Sequence, residues 1–181
     1  MRTREFSLIF VLSAAMVACY LANLITLGWL NTLGLHPRSI MGLLGIFTSP
    51  FLHASFFHLL GNLLTFVPLA AMTALSGKRN FIYASLIIVI LGGAMTWLMG
   101  RDANHIGASG LVFGLWAFVV SYAYQRRDFR SICMAIVVLV LFTGLPLGLI
   151  PRPGVSFEGH LFGLIAGIIA AKLIMKMKPI N

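Results

Sequence analysis

The chain has 181 residues, of which 60% are hydrophobic and only 9% are charged. A soluble domain is about 45–50% apolar and about 25% charged, so this composition excludes a soluble globular protein and a disordered chain. The formal net charge of +9 comes from sparse basic residues between apolar runs. That distribution indicates orientation in a membrane and argues against a nucleic-acid partner. Cys19 and Cys133 lie inside apolar runs, and we interpret them as buried free thiols.

Six segments have the length and apolar character of spanning helices, which need about 20 residues each. They lie at about 6–29, 56–75, 81–100, 109–124, 131–150 and 158–177, with glycine, proline and charged residues between them. The first segment is longer than the apolar core of a signal peptide, so we interpret it as a span. The sequence therefore predicts an all-α membrane protein, a six-helix bundle that forms one domain over residues 1–181.

The connection between the first two spans, residues 31–55, is long for a loop and yet largely apolar. Its most apolar part runs from Ile40 to Phe47. An apolar connection of this kind is typical of a segment that lies at the membrane surface or partly inside the membrane. We therefore expect a membrane-associated loop between helices 1 and 2.

The positions of the basic residues predict the orientation of the chain. Ten Lys and Arg residues fall on the side of the two termini, and three (Arg38, Arg101 and Arg152) fall on the other side. Cytoplasmic loops carry the excess of positive charge, so both termini are expected in the cytoplasm. All five histidines lie on the outer side or in the outer half of the spans: His36, His53, His58, His105 and His160.

Three polar residues inside different spans share one expected depth. Asn62, Ser109 and His160 each precede a polar or basic residue of the cytoplasmic side by 16 positions. At a rise of 1.5 Å per residue, each lies about 24 Å above that side. The hydrocarbon layer is about 30 Å thick, so the three side chains should meet several Å below the outer surface. Polar groups at such a depth are costly and indicate function.

Ser109 and His160 form a candidate nucleophile and base. Ser109 stands between Gly107 and Gly110, where the backbone can turn sharply, and a helix that starts there presents unpaired N–H groups. A serine needs a base to become a nucleophile, and His160 is the only histidine of a late span at the same depth. Each residue alone has a plainer interpretation: Ser109 as a small packing residue, and His160 as a hydrogen-bonded bundle residue or a haem ligand.

Further polar residues have supporting interpretations. His58 and Asn62 are four residues apart and share a helix face, so both could donate hydrogen bonds to an oxyanion or simply bond another helix. His53 is expected to organise the preceding loop by hydrogen bonding. Among the four acidic residues, only Glu158 comes near the candidate pair, and we expect it to face the outer surface or bond a neighbouring loop. Serine chemistry would therefore rest on a dyad.

Three motifs in this order resemble those of the rhomboid intramembrane serine proteases. They are the segment from His53 to Asn62 (HASFFHLLGN), Gly107-Ala108-Ser109-Gly110, and Gly159-His160-Leu161-Phe162-Gly163. The resemblance covers about residues 40–175, and the six predicted spans fit the minimal prokaryotic form of the family.

By this resemblance Ser109 is the nucleophile, His160 is the general base, and His58, Asn62 and the Ser109 backbone N–H form the oxyanion site. Gly163 would allow the sixth span to approach the fourth. Family members cleave transmembrane segments of other membrane proteins near the outer face, without metal or cofactor. The resemblance therefore implies single-span membrane proteins as substrates, a lipid bilayer as surroundings, and the plasma (inner) membrane as location. It does not define an oligomeric state.

Two features depart from the pattern of some relatives. The first loop has no Trp-Arg pair, and Phe113 occupies a position where some relatives have a tyrosine that stacks on the histidine. Phenylalanine can stack there but cannot donate a hydrogen bond. Neither departure touches the candidate dyad.

Other functions remain as alternatives at this stage. The first is a non-catalytic rhomboid-like protein that binds membrane proteins as a chaperone or adaptor. The second is a haem or metal protein using His53, His58, His105 or His160, although the sequence has no HExxH motif. The third is a small transporter, which the absence of an inverted repeat disfavours.

Overall fold

The computed structural model describes residues 3–177, with side chains from Phe6 onward. Its main elements are six long helices: α1 (Thr3–Ile25), α2 (Phe56–Leu75), α3 (Lys78–Met99), α4 (Ser109–Arg126), α5 (Phe129–Leu141) and α6 (Phe157–Lys176). Helices occur at all six predicted positions, and the predicted all-helical rhomboid-like bundle is confirmed.

Four of these helices are long and apolar enough to cross a membrane by themselves, namely α1 from Phe6 onward, α2, α3 and α6. The remaining two positions hold α4, which ends in polar residues, and α5, which has 13 residues. The buried residues of α4 run from Leu111 to Ala123 and include almost every position between them. Helix α4 is therefore the central helix of the bundle and is surrounded by protein.

Two predicted boundaries were wrong. The first span was expected to reach residue 29, but α1 ends at Ile25 because Leu27 and Gly28 adopt positive φ angles of 51° and 89°. The fifth span was expected to reach residue 150, but α5 ends at Leu141 and a separate 3-10 helix follows at Leu145–Leu149. That helix contains Pro146, which has no N–H to donate to the Phe142 carbonyl four residues earlier, so an α-helix cannot continue through it undisturbed.

The connection between α1 and α2 consists of short helical turns at Trp29–Leu33, Met41–Leu43, Gly45–Thr48 and Ser49–Phe51. Leu35 and Pro50 are buried, whereas Ile40 and Met41 expose 84% and 69% of their surface. A segment with a buried inner side and an exposed apolar outer side suits the predicted position at the membrane.

The helices that carry the candidate residues begin at the same end of the bundle. Helix α2 starts at an N-cap, where the Ser55 hydroxyl accepts a hydrogen bond from the His58 backbone N–H at 3.2 Å. Helix α4 starts at Ser109 itself. The core below this end is built from large apolar side chains of α2, α3 and α4, among them Phe66, Phe81 and Phe118. This packing holds α2, α3 and α4 together below the candidate site.

Candidate active site

Ser109 is the first residue of α4. Ala108, the residue before it, provides no side-chain cap, so the first N–H groups of the helix have no intrahelical partner. Gly107 has a φ of +113°, a conformation that glycine adopts without strain. Its backbone N–H donates to the Ser49 carbonyl at 2.8 Å, which fixes the turn to the α1–α2 connection. The chain is thus built to present Ser109 and free N–H groups at the end of the bundle.

His160 lies in the first turns of α6 and contacts Ser109 directly. Its Nε2 is 2.8 Å from the Ser109 Oγ, and its Nδ1 is 2.7 Å from the Gly148 carbonyl oxygen. A carbonyl oxygen only accepts, so Nδ1 carries the hydrogen and Nε2 accepts from the serine hydroxyl. The residue is 8% exposed. The sequence-predicted pair is therefore in hydrogen-bond contact, in the orientation that proton transfer from Ser109 to His160 requires.

The imidazole of His160 is also supported from one face. The Phe113 ring is stacked on it, with the ring centroids 4.3 Å apart and the planes inclined by 7°. Phe113 lies one helical turn after Ser109, so α4 supplies both the serine and the ring that stacks on His160.

Two of the predicted glycines let α4 and α6 approach closely. A Cβ placed on Gly163 would overlap the Gly110 carbonyl oxygen, and a Cβ on Gly110 would lie 3.1 Å from the Gly159 carbonyl oxygen. One helical repeat further, Gly167 faces Gly114 in the same way. Close backbone contact of this kind is typical of small residues in membrane bundles. It brings the two helices near enough for Ser109 and His160 to bond.

His58 and Asn62 lie beside the turn that precedes Ser109. The His58 Nε2 would be 2.6 Å, and the Asn62 Nδ2 3.7 Å, from a Cβ on Gly107. A side chain at position 107 would therefore displace the His58 ring. The Asn62 amide donates one hydrogen to the His58 carbonyl at 2.8 Å and has a second hydrogen for another acceptor.

A cavity of about 540 Å³ joins these groups. His58, Asn62, Ser109 and His160 all line it, and loop residues around Asn104 and Val155 form its rim. Ligand sites are usually clefts of about 300–1,000 Å³ with a few convergent polar groups. The cavity is thus large enough to admit a short stretch of polypeptide to the Ser109 hydroxyl.

His53 lies behind His58 and organises the loop, as its position in the sequence suggested. It is fully buried, its Nδ1 bonds the Phe51 carbonyl at 3.3 Å, and its backbone carbonyl accepts from the Asn31 amide at 3.3 Å. Its ring meets the His58 ring edge to face at 5.1 Å. Burial, together with the neighbouring His58, lowers the pKa of His53 to about 4. His53 is therefore neutral near pH 7.

Sequence reasoning missed a cluster that ties the loop before Ser109 to the start of α6. Ser156 is the N-cap residue of α6, yet its hydroxyl bonds the Nδ1 of His105 at 2.5 Å and does not cap the helix. The His105 Nε2 lies 3.1 Å from the Arg101 carbonyl oxygen. Burial lowers the pKa of His105. A serine before an acidic first turn is typical of a helix cap, so the local sequence indicates a different contact from the one that Ser156 makes with His105.

Glu158 completes this cluster and is buried. One of its carboxylate oxygens accepts from the Arg101 backbone N–H at 3.3 Å and lies 3.5 Å from the Arg101 Nε. Of the two positions expected for Glu158, the structure therefore has the bond to a neighbouring loop.

Gly148 was missed as well, and no sequence signal marks it because its contact with His160 is made by the main chain.

The histidines proposed as alternative metal or haem ligands have different contacts in the structure. His53 and His58 contact each other, His105 bonds Ser156, and His160 bonds Ser109. Among the side chains described from Phe6 onward, no group of three or more His, Cys, Asp or Glu residues has an arrangement that could hold a metal ion.

Comparison with known proteins identifies the class to which this bundle and site belong. The Rhomboid domain family matches residues 41–177. The chain therefore belongs to the rhomboid family of intramembrane proteases, which also has inactive members, and it is a multi-pass membrane protein.

Similar proteins come from several organisms. The uncharacterized protein Rv1337 of Mycobacterium tuberculosis is 39% identical over 155 residues, which cover 80% of this chain and 65% of that protein. The "putative rhomboid protein L523" of Acanthamoeba polyphaga mimivirus is 32% identical over 127 residues, or 66% of this chain and 68% of its own length. The "putative rhomboid protease YdcA" of Bacillus subtilis is 27% identical over 135 residues, or 74% and 68%. The chain thus spans slightly less than two thirds of the mycobacterial protein.

Proposed function

We propose that the protein is an intramembrane serine endopeptidase that uses Ser109 as nucleophile and His160 as general base. The observation that carries the proposal is the 2.8 Å contact between the Ser109 Oγ and the His160 Nε2, with Nδ1 held by a carbonyl. A serine bonded to an imidazole of this tautomer is the arrangement that activates a hydroxyl for attack. Membership of a protease family supports the same chemistry.

The reaction proceeds in two steps. His160 takes the Ser109 proton at Nε2 as Oγ attacks the substrate carbonyl carbon, and the tetrahedral intermediate collapses when the C–N bond breaks and His160 protonates the leaving amine. Water then attacks the acyl-enzyme, giving one proton to His160, and the Ser109 oxygen leaves and recovers that proton. No metal or cofactor takes part in this scheme.

The oxyanion of the tetrahedral intermediate needs hydrogen-bond donors. Three candidates lie at the cavity that Ser109 lines: the Ser109 N–H at the unpaired start of α4, the second hydrogen of the Asn62 amide, and the His58 ring. The start of a helix also carries a partial positive charge, which favours an anion. Donors fixed in this way stabilise the charge that develops in the transition state.

The substrates are proposed to be single-span membrane proteins. A lateral cavity of about 390 Å³ lies between α2 and the end of α5, with Thr65, Leu141 and Phe113 in its wall. Its wall includes Phe113, which stacks on His160, and we therefore propose that substrates enter here from the bilayer, past α5, to reach the Ser109–His160 pair. Peptide bonds of a membrane helix are hidden by helical hydrogen bonds, so helix-breaking or small residues near the cleaved bond should favour cleavage. The site is proposed to face the outer side of the plasma membrane.

The test is labelling of the detergent-purified protein by a fluorophosphonate, which reacts with activated serines. Ser109→Ala and His160→Ala should abolish labelling, because one removes the nucleophile and the other removes its base. Ser121→Ala, a serine of the same helix away from the cavity, is the matched control and should label as the wild type does. Thermal unfolding of each variant checks that the fold is retained.

A folded wild-type protein that does not label, or a Ser109→Ala variant that still does, would overturn the proposal. The first result would favour the non-catalytic alternative, in which the chain binds membrane proteins as a chaperone or adaptor. The retained Ser109–His160 contact is the feature that disfavours this alternative.

A further inference from the structure

His160 lacks the carboxylate that orients the base in a serine triad. In the triad a buried aspartate accepts from Nδ1–H, fixes the tautomer and stabilises the imidazolium. Glu158 is the acidic residue nearest in sequence, but it is engaged with Arg101. At the Nδ1 of His160 the structure has the main-chain carbonyl of Gly148, at 2.7 Å.

Gly148 lies in the 3-10 helix Leu145–Leu149, in the connection between α5 and α6. The backbone N–H that follows this helix, that of Ile150, donates to the Leu147 carbonyl. The Gly148 carbonyl is thus turned toward His160 at the end of the helix, where carbonyl groups have no intrahelical partner.

The absence of a side chain at position 148 has a structural reason. A Cβ there would lie 2.7 Å from the Phe113 Cζ and 3.1 Å from the His160 Nδ1. Any larger residue would push the connection off the stacked Phe113 and His160 rings. No positive φ is recorded at this residue, so close approach and not backbone conformation explains the glycine.

We propose that Gly148 is a positioning residue whose carbonyl does for His160 what a carboxylate does in a triad. This inference rests on the proposed Ser109–His160 mechanism. The carbonyl holds the hydrogen on Nδ1, leaves Nε2 free to accept the serine proton, and stabilises the imidazolium that forms. Because Gly148 also lines the lateral cavity with Phe113, the chain segment that orients the base lies on the route proposed for the substrate.

This position has a consequence for regulation of the site. The connection is exposed, with Leu147 and Ile150 showing 56% and 48% of their surface. Its 3-10 helix also has no side-chain cap. A substrate segment in the lateral cavity therefore touches the same short helix that aligns His160. Displacement of this helix would break the hydrogen bond from the His160 Nδ1 to the Gly148 carbonyl. The His160 imidazole would then populate both of its neutral tautomers.

The inference is tested by Gly148→Ala, with Gly61→Ala as the glycine control. Gly61 lies on an exposed part of α2, and nothing would come within 4 Å of a Cβ there. We expect Gly148→Ala to lower kcat for a cleavable membrane substrate by about 10- to 100-fold, a part of what general-base catalysis contributes. The fall should persist at saturating substrate, where weaker substrate binding alone would not lower the rate. Gly61→Ala should match the wild type.

Nitrogen NMR of the His160 ring supplies a readout that a purely structural defect would not move. The wild type should carry its hydrogen on Nδ1, and Gly148→Ala should show both tautomers. If Gly148→Ala fails to fold, replacing the Gly148–Leu149 amide by an ester weakens the carbonyl as an acceptor without adding an atom there, and the same fall in kcat is expected.

The two proposals fail in different ways. Absence of fluorophosphonate labelling in the wild type would refute the serine mechanism, and the tautomer measurement would still report on the Gly148 contact. Normal labelling and kcat in Gly148→Ala, with the hydrogen still on Nδ1, would overturn the inference about Gly148 and leave the mechanism intact. Normal kcat in the ester variant would overturn it as well.

Discussion

The Phe113 ring is stacked on the imidazole of His160, and this contact can be changed by replacing a single side chain. The rings are nearly parallel, at 4.3 Å, and Phe113 is buried. An aromatic face attracts a cation, so the ring stabilises the imidazolium more than the neutral imidazole. The tyrosine found at this position in some relatives would offer the same face, and its hydroxyl is not needed for this effect.

Replacing Phe113 by leucine tests this role. A cation–π contact contributes about 0.5–2 kcal/mol, so Phe113→Leu should lower kcat by about 2- to 30-fold. Phe113→Tyr keeps the aromatic face and should retain nearly full activity. The measurement is kcat for a cleavable membrane substrate in detergent, with thermal unfolding as the check on folding. Equal kcat in the leucine and tyrosine variants would show that the stack does not contribute.

At the scale of single residues, the sequence marks the side chains of the candidate site and not its main-chain contacts. Ser109, His160 and Asn62 could be selected because polar residues at one membrane depth are rare, and His58 because it lies four residues before Asn62 on the same helix face. Gly148 could not, because a main-chain carbonyl carries no residue-type signal. Its contact also depends on where α5 ends, and element boundaries are the least reliable part of a sequence prediction.

The contact between α4 and α6 is the element-scale feature on which the site depends. Gly110 and Gly163 are in contact next to Ser109 and His160. Gly114 and Gly167 make the same kind of contact one helical turn further along. Helix α3 joins this interface through a π-helical turn at Ile88–Gly92, where a Cβ on Gly92 would lie 3.3 Å from the Gly163 Cα. Three backbones therefore converge beside the serine.

Gly163→Ala should separate α4 from α6. The added Cβ meets backbone, which cannot rotate away, and overpacking of this kind costs about 1–3 kcal/mol. We expect a lower thermal unfolding temperature and slower fluorophosphonate labelling. Gly61→Ala adds the same methyl group on an open helix surface and should change neither. Unchanged labelling in a Gly163→Ala protein of normal stability would show that the close approach is not required.

The elements themselves were predictable to different degrees. Helices α2 and α6 agree with the prediction within one residue because charges, glycines and cap residues mark their ends. The end of α5 was placed too late because residues 142–150 remain apolar although they contain two glycines and Pro146. The π-helical turn of α3 lies where this helix approaches α6, and the sequence analysis did not predict it.

At the scale of the whole molecule, the site is held by segments far apart in the chain. The loop before Ser109 bonds the α1–α2 connection through Leu35 and Ser49, and it bonds the start of α6 through Arg101 and His105. These contacts join one end of the bundle into a continuous polar layer. The five histidines indicated the end of the bundle at which the candidate site lies, but not these contacts, which require the tertiary fold.

The proposed orientation places this polar layer on the outer side and both termini in the cytoplasm. Ten of the 13 Lys and Arg residues lie on the terminal side, and translocation of positive charge is disfavoured. The test starts from a chain in which Cys19 and Cys133, the only two cysteines, are replaced by serine. Single cysteines are then introduced by Asp102→Cys in the loop before α4 and by Arg130→Cys in the first turn of α5, both at exposed positions.

In intact bacterial cells an impermeant maleimide should modify Asp102→Cys and leave Arg130→Cys unmodified until the membrane is opened. The expectation follows because position 102 lies before the start of α4 and position 130 lies after its end, so the length of this helix separates them. With 18 residues at 1.5 Å each, that helix is about 27 Å long, close to the thickness of the hydrocarbon layer. The reverse pattern would place Ser109 on the cytoplasmic side. Because the cavity lies at the Asp102 end of the bundle, the substrate bonds cleaved would then lie near the inner face of the membrane.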